Sequence, residues 1–309
     1  MNEKLLLNSI IGDLCGSIYD NNPIKYEPTS LLSDSCYFTD TTVHTIAVAN
    51  AILDNPENPD FSKFIRLWSK KYPHLRYGRL MTEWINDENC KINSFGCGAA
   101  MRVSPCGLLG LIDNYGFFNQ RNILEVIKKS AEITHNHPEG IKGAEVIGLC
   151  IHTSVSSRGW HGCLVGYYSE PKNIGSRLLR ILQKFYPGYL PNSPKEFIIN
   201  NFRNNCEFSY LSKDIVPAAI FCCLLVKGYE ESIKFAISMG TLSSTLSAIV
   251  GSIKGTYESK PYYLIEMAYK KLPKEMIDVI EEFDKYIEKV NKGKVRLSFL
   301  DRYKKNIKS

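Results

Sequence analysis

Four oxygen-bearing side chains stand in a row, Thr39, Asp40, Thr41 and Thr42, where an apolar helical pattern begins in YFTDTTVHTIAVANAIL, residues 37–53. Hard cations are held by oxygen ligands, above all by carboxylates. The cluster therefore has the chemistry of a cation site, but a weak one, with a single carboxylate among three hydroxyls. Asp40 alone also reads as a helix cap that accepts a backbone N–H. That reading covers one residue and leaves the other three unexplained. A second crowd of hydroxyls opens another helical pattern in SMGTLSSTLSAIVGSIKGTY, residues 238–257, and contains no carboxylate at all.

Three further stretches carry chemistry. In NSFGCGAAMRVSP, residues 93–105, Gly96, Gly98, Ala99 and Ala100 leave the backbone bare. Such a loop ahead of a helix can offer N–H groups to phosphate oxygens, although small residues equally permit tight packing. In THNHPEG, residues 134–140, His135 and His137 precede Pro138 and a new helix. A zinc-type site needs more ligands at set spacing, so ligand contact or capping is the expectation. In GDLCGSIYD, residues 12–20, Gly12 and Gly16 lie one turn apart, as close helix packing requires, and Asp20 falls just beyond the helical pattern. Cys97 sits inside the glycine-rich loop. A thiol there could be activated by a helix N-terminus, but an inert replacement is the simpler reading.

The elements that must position these groups are helices. KLLLNSIIGDLCGSIY, FSKFIRLWSKKY, RNILEVIKKSAEIT, PEGIKGAEVIGLCIHTSV, KDIVPAAIFCCLLVKG and YEESIKFAISMG all carry apolar residues at helical spacing. Alternating strand patterns are scarce. DNPENPD and FYPGYLPNSP are turn clusters, and the stretch from Ser169 to Phe202 is the hardest to read. With no repeat and no low-complexity linker, residues 1–309 are expected to form one compact all-α, multi-helix domain. The key stretches fall within 9–257, and 290–309 is a basic C-terminal end.

Composition narrows the classes. The chain has 309 residues, 44% hydrophobic and 23% charged, with a net charge of +6, and it shows no basic stripe interleaved with aromatics. Nucleic acid is therefore not the expected partner. No segment approaches a membrane span, and the N-terminus lacks the order of a signal peptide. Ten cysteines without CxxC or paired spacing fit reduced thiols in a cytoplasmic protein.

Taken in order, GDLCGSIYD, YFTDTTVHT, NSFGCGAAMRVSP, ITHNHPEG and MGTLSSTLSAIVGSIKG resemble the ADP-ribosylglycohydrolase family, of the dinitrogenase reductase-activating glycohydrolase type. The family pattern is G-D-x-x-G-S-x-x-E, F-T-D-D-T, N-S-x-G-N-G-x-x-M-R-x-x-P, a T-H-x-H-P-type segment, and G-G-D-x-D-T-I-A. The resemblance implies an all-helical fold and cleavage of the glycosidic bond of ADP-ribose, through an oxocarbenium-like state. It also implies two Mg²⁺ ions between the F-T-D-D-T and D-x-D-T motifs. By the same resemblance Ser94, Phe95, Gly96, Cys97 and Gly98 line a diphosphate pocket. Met101 and Arg102 support that loop, and His135 lies near the adenosine side.

The departures fall on the metal ligands. Thr39, Asp40 and Thr245 keep their places, but Thr41, Leu242 and Ser244 stand where the family has aspartates, and Asp20 replaces a glutamate. One carboxylate with neutral hydroxyls leaves two dications largely uncompensated. The expectation is no cofactor, or one weakly bound Mg²⁺ at Asp40. The favoured function is binding of ADP-ribose, a related nucleotide or an ADP-ribosylated protein by a monomer with impaired catalysis. An active hydrolase with Asp20 or Asp40 as base, and a non-enzymatic scaffold, are the alternatives.

Overall fold

A computed structural model describes residues 4–109, 120–158, 174–187 and 209–291. The first helix, α1 (Leu7–Gly16), has no solvent-facing side, and all ten of its residues are buried. A helix apolar all round has to sit inside the core, and Gly12 and Gly16 show how. A Cβ on Gly12 would come 2.1 Å from the carbonyl oxygen of Ser247, and one on Gly16 would come 2.3 Å from that of Ser243. The partner is α12 (Ser243–Lys254), likewise buried throughout, and its Gly251 returns the fit by sitting against the Asn8 carbonyl. The two glycines read from the sequence as close-approach positions are therefore the contact itself. The start of α1 is capped from far away: the Asp284 carboxylate accepts the backbone N–H groups of Leu5 and Leu6.

Around this pair lie α2 (Asp40–Asp54), α3 (Phe61–Lys71), α4 (Arg79–Asn86), the short α5 (Gly98–Arg102) and α6 (Ser104–Leu108), α7 (Gln120–Glu132), α8 (Pro138–Arg158) and α9 (Ile174–Phe185). Then come α10 (Ser212–Leu225), α11 (Tyr229–Ile237), and, after α12, α13 (Tyr262–Lys271) and α14 (Lys274–Asn291). Helix α2 packs on α3 and α14, while α8 gathers α5, α6, α7, α9 and α10. Among the described residues there is no strand, only two isolated bridges, Asn93 with His135 and Gly96 with Leu211. The expected all-α, single-domain fold is what the chain adopts.

The eight cysteines in the described residues are free, and seven of them are buried. No helix among these residues is long and apolar enough to cross a membrane. The basic end beyond residue 291, and most of the stretch from Ser169 to Phe202, lie outside the described residues.

Candidate functional site

The site forms where the starts of α2 and α12 meet the end of α1. Asp13, fully buried on α1, accepts four hydrogen bonds. Thr39 donates its N–H (2.8 Å) and hydroxyl (2.6 Å), and Thr42 donates its N–H (3.2 Å) and hydroxyl (2.5 Å). The four-residue cluster is thus explained in part by an internal carboxylate clamp. Thr39 is also the cap of α2, its hydroxyl accepting from Thr41 N–H at 3.1 Å. The sequence had suggested Asp40 as the cap; Asp40 is instead the first helical residue. It lines the cavity, and its carboxyl is also held at the helix start by Thr39 and the Thr41 backbone.

Asp20 lies just after a 3₁₀ turn (Ser17–Tyr19) and accepts the Ser244 N–H at 2.9 Å. It covers the start of α12, where Leu242 stands at the cap position without a side-chain acceptor. Thr41 turns its hydroxyl to the Met101 sulfur at 3.2 Å and lies 3.5 Å from the Thr245 hydroxyl. Two of the positions compared with metal ligands therefore face each other across a thioether.

Electrostatics follow from burial. Desolvation, then the charges of Asp13 and Asp20, push the Asp40 carboxyl up to about 7. Asp13 is raised to about 6, chiefly by desolvation and against the four donors it accepts. Asp20 is also raised by desolvation. The buried cation is Arg102, whose Nη2 donates to the Ser130 carbonyl at 2.9 Å and to Thr134 Oγ1 at 2.7 Å. Burial lowers it to about 10. Thr134 Oγ1 meets His135 Nδ1 at 2.8 Å. The Thr134 hydroxyl thus joins Arg102 to the imidazole of His135. Desolvation and Arg102 together hold His135 down to about 3. Its Nε2 lies over Gly98, where an added Cβ would come within 2.8 Å.

The glycine-rich loop is pinned on both sides. Ser94 N–H donates to the Thr134 carbonyl at 3.2 Å, and Ser212 N–H to the Phe95 carbonyl at 3.1 Å. Three of its amides, those of Ser94, Gly96 and Cys97, are already spent inside the protein, contrary to a loop free to cradle phosphate. Gly96 N–H goes to Ser94 Oγ at 3.1 Å, and Cys97 N–H goes to the Tyr210 carbonyl at 3.0 Å. The Cys97 thiol is buried and pushed up to about 12, which argues against a thiolate nucleophile. Phe95 is 47% exposed, lies edge-on to His137 and is not part of the cavity wall. His137 caps α8 by accepting Glu139 N–H at 3.1 Å, the capping role open to that stretch.

These groups surround a cavity of about 920 Å³, large enough for a nucleotide-sized ligand. Of the residues picked from sequence, Asp20, Thr39, Asp40, Ser94, Gly96, Cys97, Gly98, Met101, His135, Leu242, Ser244 and Thr245 line it. Sequence reasoning missed Asp13, His44, and the whole wall formed by residues 74–81. No group of three or more His, Cys, Asp or Glu among the described residues converges as a metal-ligand set.

The family's sequence pattern, described as ADP-ribosylglycohydrolase, matches residues 4–298. The chain belongs to the ADP-ribosylglycohydrolase family. It is similar to an uncharacterised protein of Archaeoglobus fulgidus, 26% identical over 79% of this chain and 78% of the other. It is also similar to the ADP-ribosylhydrolase ARH3 of Gallus gallus, 22% identical over 82% and 83% of the two chains. Its fold matches a solved structure titled an ADP-ribosylglycohydrolase-related protein complex, with a TM-score of 0.63 and 16% identity over 94% and 96% of the chains. In this ADP-ribosylglycohydrolase chain the starts of α2 and α12 face one cavity, through Thr39, Asp40, Ser244 and Thr245.

Proposed function

We propose that the cavity binds ADP-ribose, free or attached to a protein, without a dinuclear Mg²⁺ centre, and that hydrolysis is impaired. The observation that carries this reading is the exchange of ligand chemistry at one place. Thr41 spends its hydroxyl on Met101 and lies beside Thr245, and Leu242 offers no donor atom. Mg²⁺ demands near-octahedral oxygen and is held through carboxylates. Asp40 and Asp20 with neutral hydroxyls do not fit two such ions; one weakly held Mg²⁺ at Asp40 is the most the donor set supports. The residues that would hold the nucleotide need no metal. His135 lines the cavity beside Ser94 and Gly98, with its Nε2 over Gly98.

Calorimetric titration of ADP-ribose into metal-stripped protein, repeated with Mg²⁺, tests this. Equal binding in both is the expected result. Binding that needs Mg²⁺, or release of ADP-ribose from a modified protein at ordinary enzyme rates, refutes it.

One observation favours a second reading, an active hydrolase with a rebuilt site. A carboxyl near pH 7, as in Asp40, is poised for proton transfer. In that case Asp40→Asn abolishes turnover and leaves ADP-ribose affinity nearly intact.

A further inference from the structure

The charges around the cavity are graded from inside to outside. Its two carboxylates, Asp20 and Asp40, are half-buried and sit at the starts of α12 and α2. Its guanidiniums are Arg102, buried behind the glycine-rich loop, and Arg76 and Arg79, both exposed at the mouth with His74. Ile92, Ser94 and Tyr210, which also line the cavity, are uncharged.

The mouth cations come from one segment, HLRYGR, residues 74–79, between α3 and α4. That segment is anchored. Tyr77 donates its hydroxyl to the Tyr72 carbonyl at 3.1 Å and stacks on His44 with centroids 5.5 Å apart. Arg76 Nη1 reaches over to Asn21 Oδ1, next to Asp20, and its charge opposes the upward shift of Asp20. A guanidinium carries five donors in a rigid fork, and the Asn21 contact engages one nitrogen. Arg79 is more loosely tied, 3.7 Å from Glu83 on its own helix.

We infer that the site takes a ligand bearing an anion at the mouth beside Asp20, a phosphate ester on the distal ribose, and that Arg76, assisted by Arg79, selects it. The inference rests on the nucleotide reading above, with the adenosine diphosphate on the His135 side of the cavity and the distal ribose at the Asp20 end. Without the cations of segment 74–79, an anion next to Asp20 would meet like charge and bare solvent. Phosphate suits the position better than a carboxylate link. Esterification removes a carboxylate's charge, whereas a phosphate joined to the ribose keeps at least one.

Calorimetry with ADP-ribose and with its anomeric phosphate tests the inference at physiological salt. The unaltered protein should bind the phosphate form at least about tenfold more tightly, as a charge-assisted hydrogen bond provides. Arg76→Ser should lower affinity for the phosphate form at least about tenfold more than it lowers affinity for ADP-ribose, and Arg79→Ser should reduce the preference less. High salt should narrow the gap. Equal affinity for both ligands overturns the inference and leaves the nucleotide reading intact. So does a preference that survives the double variant, or an Arg76→Ser loss shared equally by both ligands, which would put Arg76 on the diphosphate. Failure of the unaltered protein to bind either ligand removes the nucleotide reading, and the inference with it.

Discussion

Replacing Gly12 by alanine puts a methyl group where the backbone of another helix already is. The added carbon would lie 2.1 Å from the Ser247 oxygen and 2.5 Å from its carbonyl carbon, where ordinary contact begins at 3.4 Å. Neither neighbour is a flexible side-chain end, so α1 and α12 must part by more than an ångström. Both helices are buried along their whole length, which leaves little room to yield. Overpacking of this kind costs about 3 kcal/mol at the upper end, while alanine in a helix returns about 1 kcal/mol relative to glycine. A net loss of about 2 kcal/mol lowers the melting temperature by several degrees in a chain of this size. Gly78→Ala is the matched control, because nothing lies within 4 Å of its added carbon. Urea unfolding of the two variants beside the unaltered protein is the assay. The movement should also weaken ADP-ribose binding, since α1 carries Asp13 and α12 carries Ser244 and Thr245. A Gly12→Ala protein as stable as the Gly78→Ala control would refute the close-packing argument.

Three other outcomes are expected. Asp13 is raised to about 6 in the folded chain from an ordinary 3.8, so the folded state holds its proton more tightly. The stability this gives is complete below pH 4 and is lost as pH rises through 6, a swing of about 3 kcal/mol at most. Asp13→Asn should flatten that part of the pH–stability curve measured by urea midpoints, and an unchanged slope would count against it. Gly98→Ala should tilt the His135 ring, which lies 2.8 Å from the added carbon, and weaken nucleotide binding about tenfold, the worth of one lost hydrogen bond with its charge-assisted support; affinity equal to the unaltered protein's would show that His135 is not used. Restoring the acids together, as Thr41→Asp, Leu242→Asp and Ser244→Asp, should give a protein whose melting temperature rises with Mg²⁺, while the unaltered chain's does not. The opposite pattern would mean that the present donor set already holds the ion.

Much of this was legible in the residues, and the rest was hidden for definable reasons. The helix-period patterns located α1, α2, α3, α7, α8, α10, α11 and α12, because periodic burial writes itself into sequence. The glycine pair of α1 could be read because only a close approach uses small residues one turn apart. The hydroxyl clusters at Thr39–Thr42 and Ser243–Thr245 were linked through the family resemblance, and Thr39, Asp40, Ser244 and Thr245 do line one cavity. Asp13 stands in the G-D motif but its role was not read from it, because that role exists only once Thr39 and Thr42 reach it from 26 and 29 residues away. Arg102 reads as a loop support, and nothing local to it shows that it is the cavity's buried cation. The wall at 74–81 carries no motif. Its position is set by Tyr77 packing on His44, a contact between α2 and a turn that only the folded chain makes.

The pairing of α1 with α12 also sets an order of events during synthesis. Asp20 meets Ser244 across 224 residues and Tyr229 meets Asn8 across 221. Helix α1 is thus made more than 200 residues before its mate, α12, exists. Until then its glycine-lined face is apolar surface without cover, the kind of exposure that chaperones bind and that aggregation exploits. The Asp13 clamp on Thr39 and Thr42 can form early, but the cavity closes only once Ser244 and Thr245 have been translated.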